Sequence, residues 1–223
     1  MTFSRDALVS IRSGRLDLQG VINSPIDAPS TTPGVVVCHP HPQFGGDMDN
    51  AVVAKIAACL KLKGIVTLRF NFRGVGESNG THDHGKGELD DLKSALRFLA
   101  NWPGIDKKRI GVAGYSFGAM VALSGSHELK IAKALAFVSP PGSILDNQIK
   151  PKKGIPLLFV LGSDDTTMSA QVLNKRLGDV KRHTTVEIVN GATHFWRGRE
   201  EDAAGIVAKF FEQELIEANA TDS

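Results

Sequence analysis

The feature that most constrains the fold is a repeated alternation of strand and helix patterns. The run "GVVVCH" is continuously apolar and β-branched, which is typical of a strand buried on both faces. It is followed by "NAVVAKIAACLKLKG", where Val53, Ile56 and Leu60 recur at helical spacing. The same alternation continues to a closing helix in "EDAAGIVAKFFEQELIEA". We therefore predict an α/β fold, with a mostly parallel, doubly wound sheet of about seven or eight strands and helices on both faces.

The chain is expected to form one domain over residues 1–223. Residues 1–30 predict an antiparallel hairpin with its turn at Ser13-Gly14, and residues 219–223 predict a disordered tail. The 26 basic and 24 acidic residues nearly balance, which argues against nucleic acid or an anionic membrane as a partner. No apolar run approaches the roughly 20 residues of a membrane span. We expect a cytoplasmic protein that needs no cofactor, and the oligomeric state stays open.

One short motif lies at the junction of a predicted strand and a predicted helix. Gly114-Tyr115-Ser116-Phe117-Gly118 joins "RIGVAGY" to "FGAMVALSGS", and a sharp strand–turn–helix is the setting of a nucleophilic serine. Side chains at Gly114 and Gly118 would collide with the neighbouring strand and helix. The alternative is a glycine-rich helix start capped by a serine. The strand–turn–helix context favours Ser116 as a nucleophile.

A nucleophilic serine needs a base, and the base needs an acid to orient it. His194 in "VNGATHFW" and the pair Asp164 and Asp165 in "LGSDDTT" each follow a predicted strand. Because the carboxyl ends of parallel strands meet at one edge of a sheet, we expect these side chains near Ser116. The alternative for the aspartate pair is a helix N-cap with a charged neighbour. His127 and His183 lie in polar helix-end contexts and are expected on the surface.

The order Ser116, Asp165, His194, each after a separate strand, resembles the α/β-hydrolase superfamily over almost the whole chain. That family's acid commonly ends a G-x-x-D pattern, which implies Asp165, with Asp164 in reserve. The segments "HPHPQFGGDMDN" and "RGVGESNG" resemble small, lidless hydrolases related to dienelactone hydrolases. Dienelactone hydrolases proper use cysteine, so Ser116 is a departure. Thr166-Thr167-Met168 also departs from the family's usual apolar pair in this loop.

The resemblance implies a serine carboxylesterase that acts on small or short-acyl esters through an acyl-enzyme, with thioesters and lactones left open. No cap domain is expected, because the longest connection is only "PPGSILDNQIKPKKG". For the oxyanion hole, the Phe117 N–H follows the nucleophile directly. The second donor should follow "GVVVCH", where Pro40 and Pro42 have no N–H. This leaves His41 and Gln43, and alignment with the family's H-G-x segment favours Gln43.

Three other functions compete with this one. A metal-dependent hydrolase could use the two H-x-H pairs, His39 with His41 and His82 with His84, because alternation puts both histidines of a pair on one side. A hydrolase fold used only for binding is a second alternative. A dinucleotide site at "RGVGESNG" is disfavoured, because its spacing is G-x-G-x-x-x-G and no helix begins at once. Covalent labelling by a fluorophosphonate separates an activated serine from the other classes.

Overall fold

The fold is taken from a computed structural model of the chain, which describes residues 4–25, 31–142 and 151–218. Within these residues, eight strands form one sheet. The strands are β1 (Ser4–Ser13), β2 (Leu16–Pro25), β3 (Thr32–Cys38), β4 (Val66–Phe70), β5 (Ile105–Tyr115), β6 (Ala134–Val138), β7 (Leu157–Gly162) and β8 (Thr184–Val189). The α-helices are α1 (Ala51–Leu62), α2 (Lys86–Ala100), α3 (Phe117–Ser124), α4 (Ala170–Arg176) and α5 (Glu200–Glu212). Short 3-10 segments occupy Pro42–Phe44 and Gly178–His183, and a π-helical turn at Gln213–Glu217 follows α5.

The strand order is β1-β2-β4-β3-β5-β6-β7-β8. The strands from β4 to β8 in this order are parallel, whereas β1 and β2 form an antiparallel hairpin and β2 runs antiparallel to β4. This arrangement confirms the predicted α/β class and its mostly parallel sheet. Gly14 makes the hairpin turn with a φ of 59°, a conformation that glycine adopts without a steric penalty.

Two apolar cores, one on each face of the sheet, explain the continuous apolar strands. Along β3, Val36 packs with α2 and α3, while Val35 and Val37 pack with α1 and α5 on the other face. Successive side chains of a strand point to opposite faces, so a strand covered by helices on both sides is apolar throughout. Every residue of β3, β6 and β7 is buried. The buried sheet therefore fixes the ends of its strands. Ser116, Asp165 and His194 follow the ends of β5, β7 and β8.

Several predictions from the sequence concern where strands, loops and the terminal segments begin and end. The predicted strand "RIGVAGY" is longer in the structure and begins at Ile105. Residues 1–3 and 26–30 of the predicted hairpin region and the predicted tail 219–223 lie outside the described residues, as do residues 143–150 of the longest connection. Within the described ranges no helix has both the length and the apolar character needed to cross a membrane.

Candidate active site

Ser116 lies in the one-residue junction between β5 and α3. Its φ of 52° and ψ of −112° are rare for a residue with a side chain, and its N–H donates to the Val138 carbonyl at 2.9 Å. A Cβ on Gly114 would lie 2.6 Å from the Ala119 nitrogen of α3, and one on Gly118 would lie 2.5 Å from the Cys38 oxygen of β3. The two glycines therefore allow the close approach of strand and helix that the motif predicts.

The three residues singled out from the sequence lie in one hydrogen-bonded chain. The Ser116 hydroxyl oxygen is 3.0 Å from Nε2 of His194, and Nδ1 of His194 is 3.1 Å from Oδ2 of Asp165. The side chain of Asp165 is fully buried and that of His194 is 16 % exposed. A hydroxyl, an imidazole and a carboxylate in this order can pass a proton from the hydroxyl to the ring while the carboxylate holds the ring.

Asp164 is turned away from this chain. It is exposed, and its carboxylate accepts a hydrogen bond from the hydroxyl of its neighbour Ser163 at 2.7 Å. Asp165, in contrast, lies inward from the end of β7, where its N–H donates to the Gly162 carbonyl at 3.2 Å. The structure thus brings Asp165 rather than Asp164 to His194.

Two residues that sequence reasoning did not single out surround the Asp165 carboxylate. The Thr167 hydroxyl lies 2.7 Å from Oδ1 of Asp165 and 2.9 Å from Nδ1 of His194, and the Thr167 N–H donates to Oδ1 at 2.8 Å. Burial by itself raises the pKa of Asp165, but hydrogen bonds from His194, Thr167 and Ser139 outweigh it and lower this pKa to about 2. Asp165 is therefore ionised across the neutral range.

The loop that carries His194 is fixed from both sides. The Tyr115 hydroxyl donates to the His194 carbonyl at 2.8 Å, and burial raises the pKa of Tyr115 to about 12, so the phenol keeps its proton. Trp196 is fully buried with a φ of 55°, and its indole N–H donates to the Ser139 hydroxyl at 3.0 Å. The backbone of Ser139 also has positive φ, 43°. Ser139 directly follows β6, so the rule that located Asp165 and His194 could have found it.

The loop after β3 presents a different N–H from the one expected. The Gln43 N–H already donates to Nδ1 of His41 at 3.2 Å, and Gln43 is exposed on the 3-10 turn. Within the described part of the chain, the N–H groups of His41 and Phe117 donate no hydrogen bond. The structure therefore does not support Gln43 as an oxyanion donor, because its hydrogen is committed elsewhere. The sequence could not show the turn on which the Gln43 N–H meets the His41 ring.

The histidines of the metal-site alternative are arranged for other contacts. His39 is fully buried, with Nδ1 2.7 Å from the Pro40 carbonyl and Nε2 accepting the Phe72 N–H at 3.0 Å. Burial lowers the pKa of His39 to about 4, and with both nitrogens engaged the ring has no free lone pair for a metal. In residues 4–25, 31–142 and 151–218, no group of three or more histidine, cysteine, aspartate or glutamate side chains is arranged to hold a metal ion.

Ser116 and His194 open onto a cavity of about 570 Å³. Phe44 and Phe195 are 86 % and 66 % exposed, so large apolar rings border it. Among the described residues that line the cavity, none carries an aspartate, glutamate, lysine or arginine side chain. The lining residues are Pro40, His41, Phe44, Gly45, Gly46, Asn50, Tyr115, Ser116, Pro141, His194 and Phe195. Such a cavity favours an uncharged, partly apolar ligand.

Solved structures share this architecture. An α/β serine hydrolase without a lid from Xanthomonas campestris has a TM-score of 0.83 and 28 % identity, covering 95 % of this chain and 96 % of its own. A serine hydrolase homologue from Coxiella burnetii has a TM-score of 0.76 and 32 % identity, covering 94 % and 98 %. The fold is therefore that of a lidless α/β-hydrolase.

Sequence comparison leads to the family. Residues 77–218 match the dienelactone hydrolase family. An uncharacterized protein of Rickettsia prowazekii is 35 % identical over 179 residues, which make up 76 % of this chain and 74 % of that protein. The chain belongs to the dienelactone hydrolase family and is a hydrolase.

Proposed function

We propose that the protein is a serine-dependent carboxylesterase that acts on small, uncharged esters. The observation that carries this proposal is the 3.0 Å contact between the Ser116 hydroxyl and Nε2 of His194, backed by the buried carboxylate of Asp165. Unlike a helix-capping serine, Ser116 makes no side-chain hydrogen bond to the start of α3. Its hydroxyl faces an imidazole instead, which is the requirement for activation at neutral pH.

The reaction follows from these positions. The Ser116 oxygen attacks the ester carbonyl carbon while His194 accepts the hydroxyl proton at Nε2. The tetrahedral intermediate collapses, the bond to the alcohol oxygen breaks, and His194 returns the proton to the departing alcohol. Water then attacks the acyl-enzyme by the same route and releases the acid and free Ser116. Asp165 keeps the proton of the other ring nitrogen, Nδ1, in place and stabilises the imidazolium.

The developing oxyanion needs two N–H donors. We assign them to Phe117, at the first position of α3, and to His41. In the part of the chain that the structure describes, neither N–H has another acceptor. The Phe117 donor also has the positive end of the α3 dipole behind it, which favours negative charge at that point. This assignment replaces Gln43 with His41.

The chemistry of the acyl carbon is shared by esters, thioesters and lactones, so the cavity decides the substrate. Its uncharged lining favours neutral acyl groups, and about 570 Å³ accommodates a small ester. We therefore propose small carboxylic esters, rather than thioesters or lactones, as the preferred substrates.

The deciding experiment is hydrolysis of p-nitrophenyl esters of increasing acyl length, with Ser116→Ala beside the wild type. We expect the wild type to prefer short chains and Ser116→Ala to lose activity with almost no change in Tm, since an elbow hydroxyl contributes little to packing. A fluorophosphonate should add its phosphonyl group to Ser116, detected by peptide mass. Ester hydrolysis by Ser116→Ala above a few per cent of wild type, or a wild type that neither hydrolyses nor labels, would reject the proposal.

A further inference from the structure

His82 lies between the two residues to which we assign the oxyanion donors. It belongs to the loop between β4 and α2, and its ring centroid is 5.1 Å from that of His41 and 5.3 Å from that of Phe117. The His41 and Phe117 rings are themselves 4.9 Å apart. The three rings thus form a closed triangle, and two of its corners carry the N–H groups that the proposed function uses.

A buried carboxylate holds His82 in this position. Glu88, in the first turn of α2, is fully buried and lies 2.9 Å from Nδ1 of His82. The same carboxylate accepts the N–H groups of Asp83 and Gly85, each at 2.8 Å. The backbone that follows His82 is therefore tied to α2 by two hydrogen bonds to a buried carboxylate, which restricts where the ring can lie.

Hydrogen bonding does not account for the His82 ring at this place. The His82 side chain is only 9 % exposed, yet within the described residues neither ring nitrogen makes a hydrogen bond. The contact to Glu88 is short, but it lacks the alignment of a hydrogen bond. Buried nitrogens without hydrogen bonds cost stability, so the contribution of the ring here lies in its shape and its contacts with His41 and Phe117.

We propose that His82 is a positioning residue for the oxyanion hole, an inference that rests on the proposed function. Seated on Glu88 and packed against His41 and Phe117, it sets the separation of the two donor residues. The N–H groups must lie about 3 Å from the oxygen of the transition state, and errors of about 1 Å can cost about 100-fold in rate. His82 does not touch substrate in this account; it acts through the two residues it contacts.

The test compares His82→Ala, which removes the ring, with His82→Phe, which restores one. We expect His82→Ala to lower kcat by about 10- to 100-fold with KM changed less than about 2-fold, because ground-state binding does not use the oxyanion hole. His82→Phe should recover kcat to within about 5-fold of wild type, because a flat ring again separates His41 and Phe117. The rate of fluorophosphonate labelling should fall in parallel with kcat, since the phosphoryl oxygen occupies the same hole.

The matched control is His127→Ala, because His127 is 61 % exposed and no role is assigned to it. An unchanged kcat in His82→Ala, a loss confined to KM, or a kcat for His82→Phe as low as that of His82→Ala would overturn the inference. If His82→Ala does not fold, His82→Leu replaces it, and its kcat should lie at least about 5-fold below that of His82→Phe. Equal kcat values for that pair also overturn it. A wild type that does not label defeats the proposed function itself, whereas equal labelling of wild type and His82→Ala defeats only the role of His82.

Discussion

The two sides of Ser116 are built in different ways. On the acid–base side, which comprises Ser139, Asp165, Thr167 and His194, the side chains are linked by directed hydrogen bonds, which measure 2.7 to 3.1 Å among Ser116, Asp165, Thr167 and His194. On the ring side, which comprises His41, His82 and Phe117, the contacts are between rings 4.9 to 5.3 Å apart, and the His82 nitrogens have no hydrogen bond among the described residues.

The difference reflects the groups that each side positions: charged side chains on the acid–base side and backbone N–H groups on the ring side. A charge at the edge of a low-dielectric core is stabilised by donors aimed at it, so Asp165 and His194 require directed bonds. A backbone N–H donor has its hydrogen fixed by the peptide plane, so it needs only a correctly placed main chain, which ring packing can supply. Substitutions should therefore affect the acid–base side through single atoms and the ring side through shape.

The largest expected effect is on the acid–base side. Asp165→Asn should lower kcat by roughly 10²- to 10⁴-fold, because the imidazole loses its orienting carboxylate. Asp164→Asn is the matched control, since Asp164 is exposed and its carboxylate accepts a hydrogen bond from Ser163 rather than from His194, and it should stay within about 3-fold of wild type. Steady-state kinetics with one p-nitrophenyl ester measures both. A larger effect at Asp164 would show that the acid is wrongly assigned.

On the ring side, a backbone donor can be removed directly. The φ of His41 is −60°, which proline adopts, so His41→Pro deletes the N–H with little change of the main chain. Relative to His41→Ala, which has also lost the ring, His41→Pro should lower kcat by a further factor of about 10² to 10³.

The matched control is Gln43→Pro, which removes the N–H that donates to the His41 ring and should cost less than about 5-fold in kcat. A severe loss of kcat in Gln43→Pro, together with equal kcat for the two His41 variants, would give the opposite result. It would identify the Gln43 N–H, as expected from the sequence, as the second oxyanion donor.

A single hydroxyl on the acid–base side gives a smaller effect. Thr167→Val keeps the shape of the side chain but removes its hydrogen bond to Asp165 at 2.7 Å. One hydrogen bond to a charged group is worth about 1.5 kcal/mol, so kcat should fall about 10-fold while KM changes little. Thr166→Val, on the exposed neighbouring residue, should have no effect. If both variants match wild type, the Thr167 hydroxyl does not help to hold the acid.

The titration of His39 and Asp165 should have the smallest effect on activity at neutral pH. Its main effect should be on the free energy of unfolding as the pH falls. The pKa of His39, beside the ring side, is lowered from 6.5 to about 4 by burial, so the unfolded chain binds more protons between these pH values. Stability should therefore be complete above about pH 6.5 and fall as pH drops towards 4, by roughly 3 kcal/mol from this group. The pKa of Asp165 is lowered from 3.8 to about 2, so its contribution should be lost only between about pH 4 and 2.

Urea unfolding at a series of pH values measures the contributions of His39 and Asp165 to the free energy of unfolding separately. His39→Gln should flatten the loss between pH 6.5 and 4, and Asp165→Asn should flatten the loss between pH 4 and 2. Activity at neutral pH should not respond to the titration of His39, because that ring is neutral there. A His39→Gln variant with the same pH slope as wild type would show that the buried ring does not control this transition.

The sequence by itself determined the architecture and the surroundings of Ser116. Continuous apolar runs such as β3 predict burial on both faces, and their alternation with helices leaves a parallel sheet as the simple solution. The elbow is local at Gly114, where a side chain would clash with Ala119 five residues further along, whereas at Gly118 the clash is with Cys38 of the neighbouring strand β3. The positions of Asp165 and His194 near Ser116 follow from the common edge of parallel strands.

Only the tertiary structure decided which neighbour faces inward. Asp164 and Asp165 are chemically identical, and the turn after β7 alone determines that the second is buried beside His194. The same holds for His41 and Gln43, since the side chain of one captures the N–H of the other. His82 meets His41 and Phe117 through three separate segments of the chain. Such contacts depend on side-chain direction at the ends of long-range elements, which no local pattern of residues encodes.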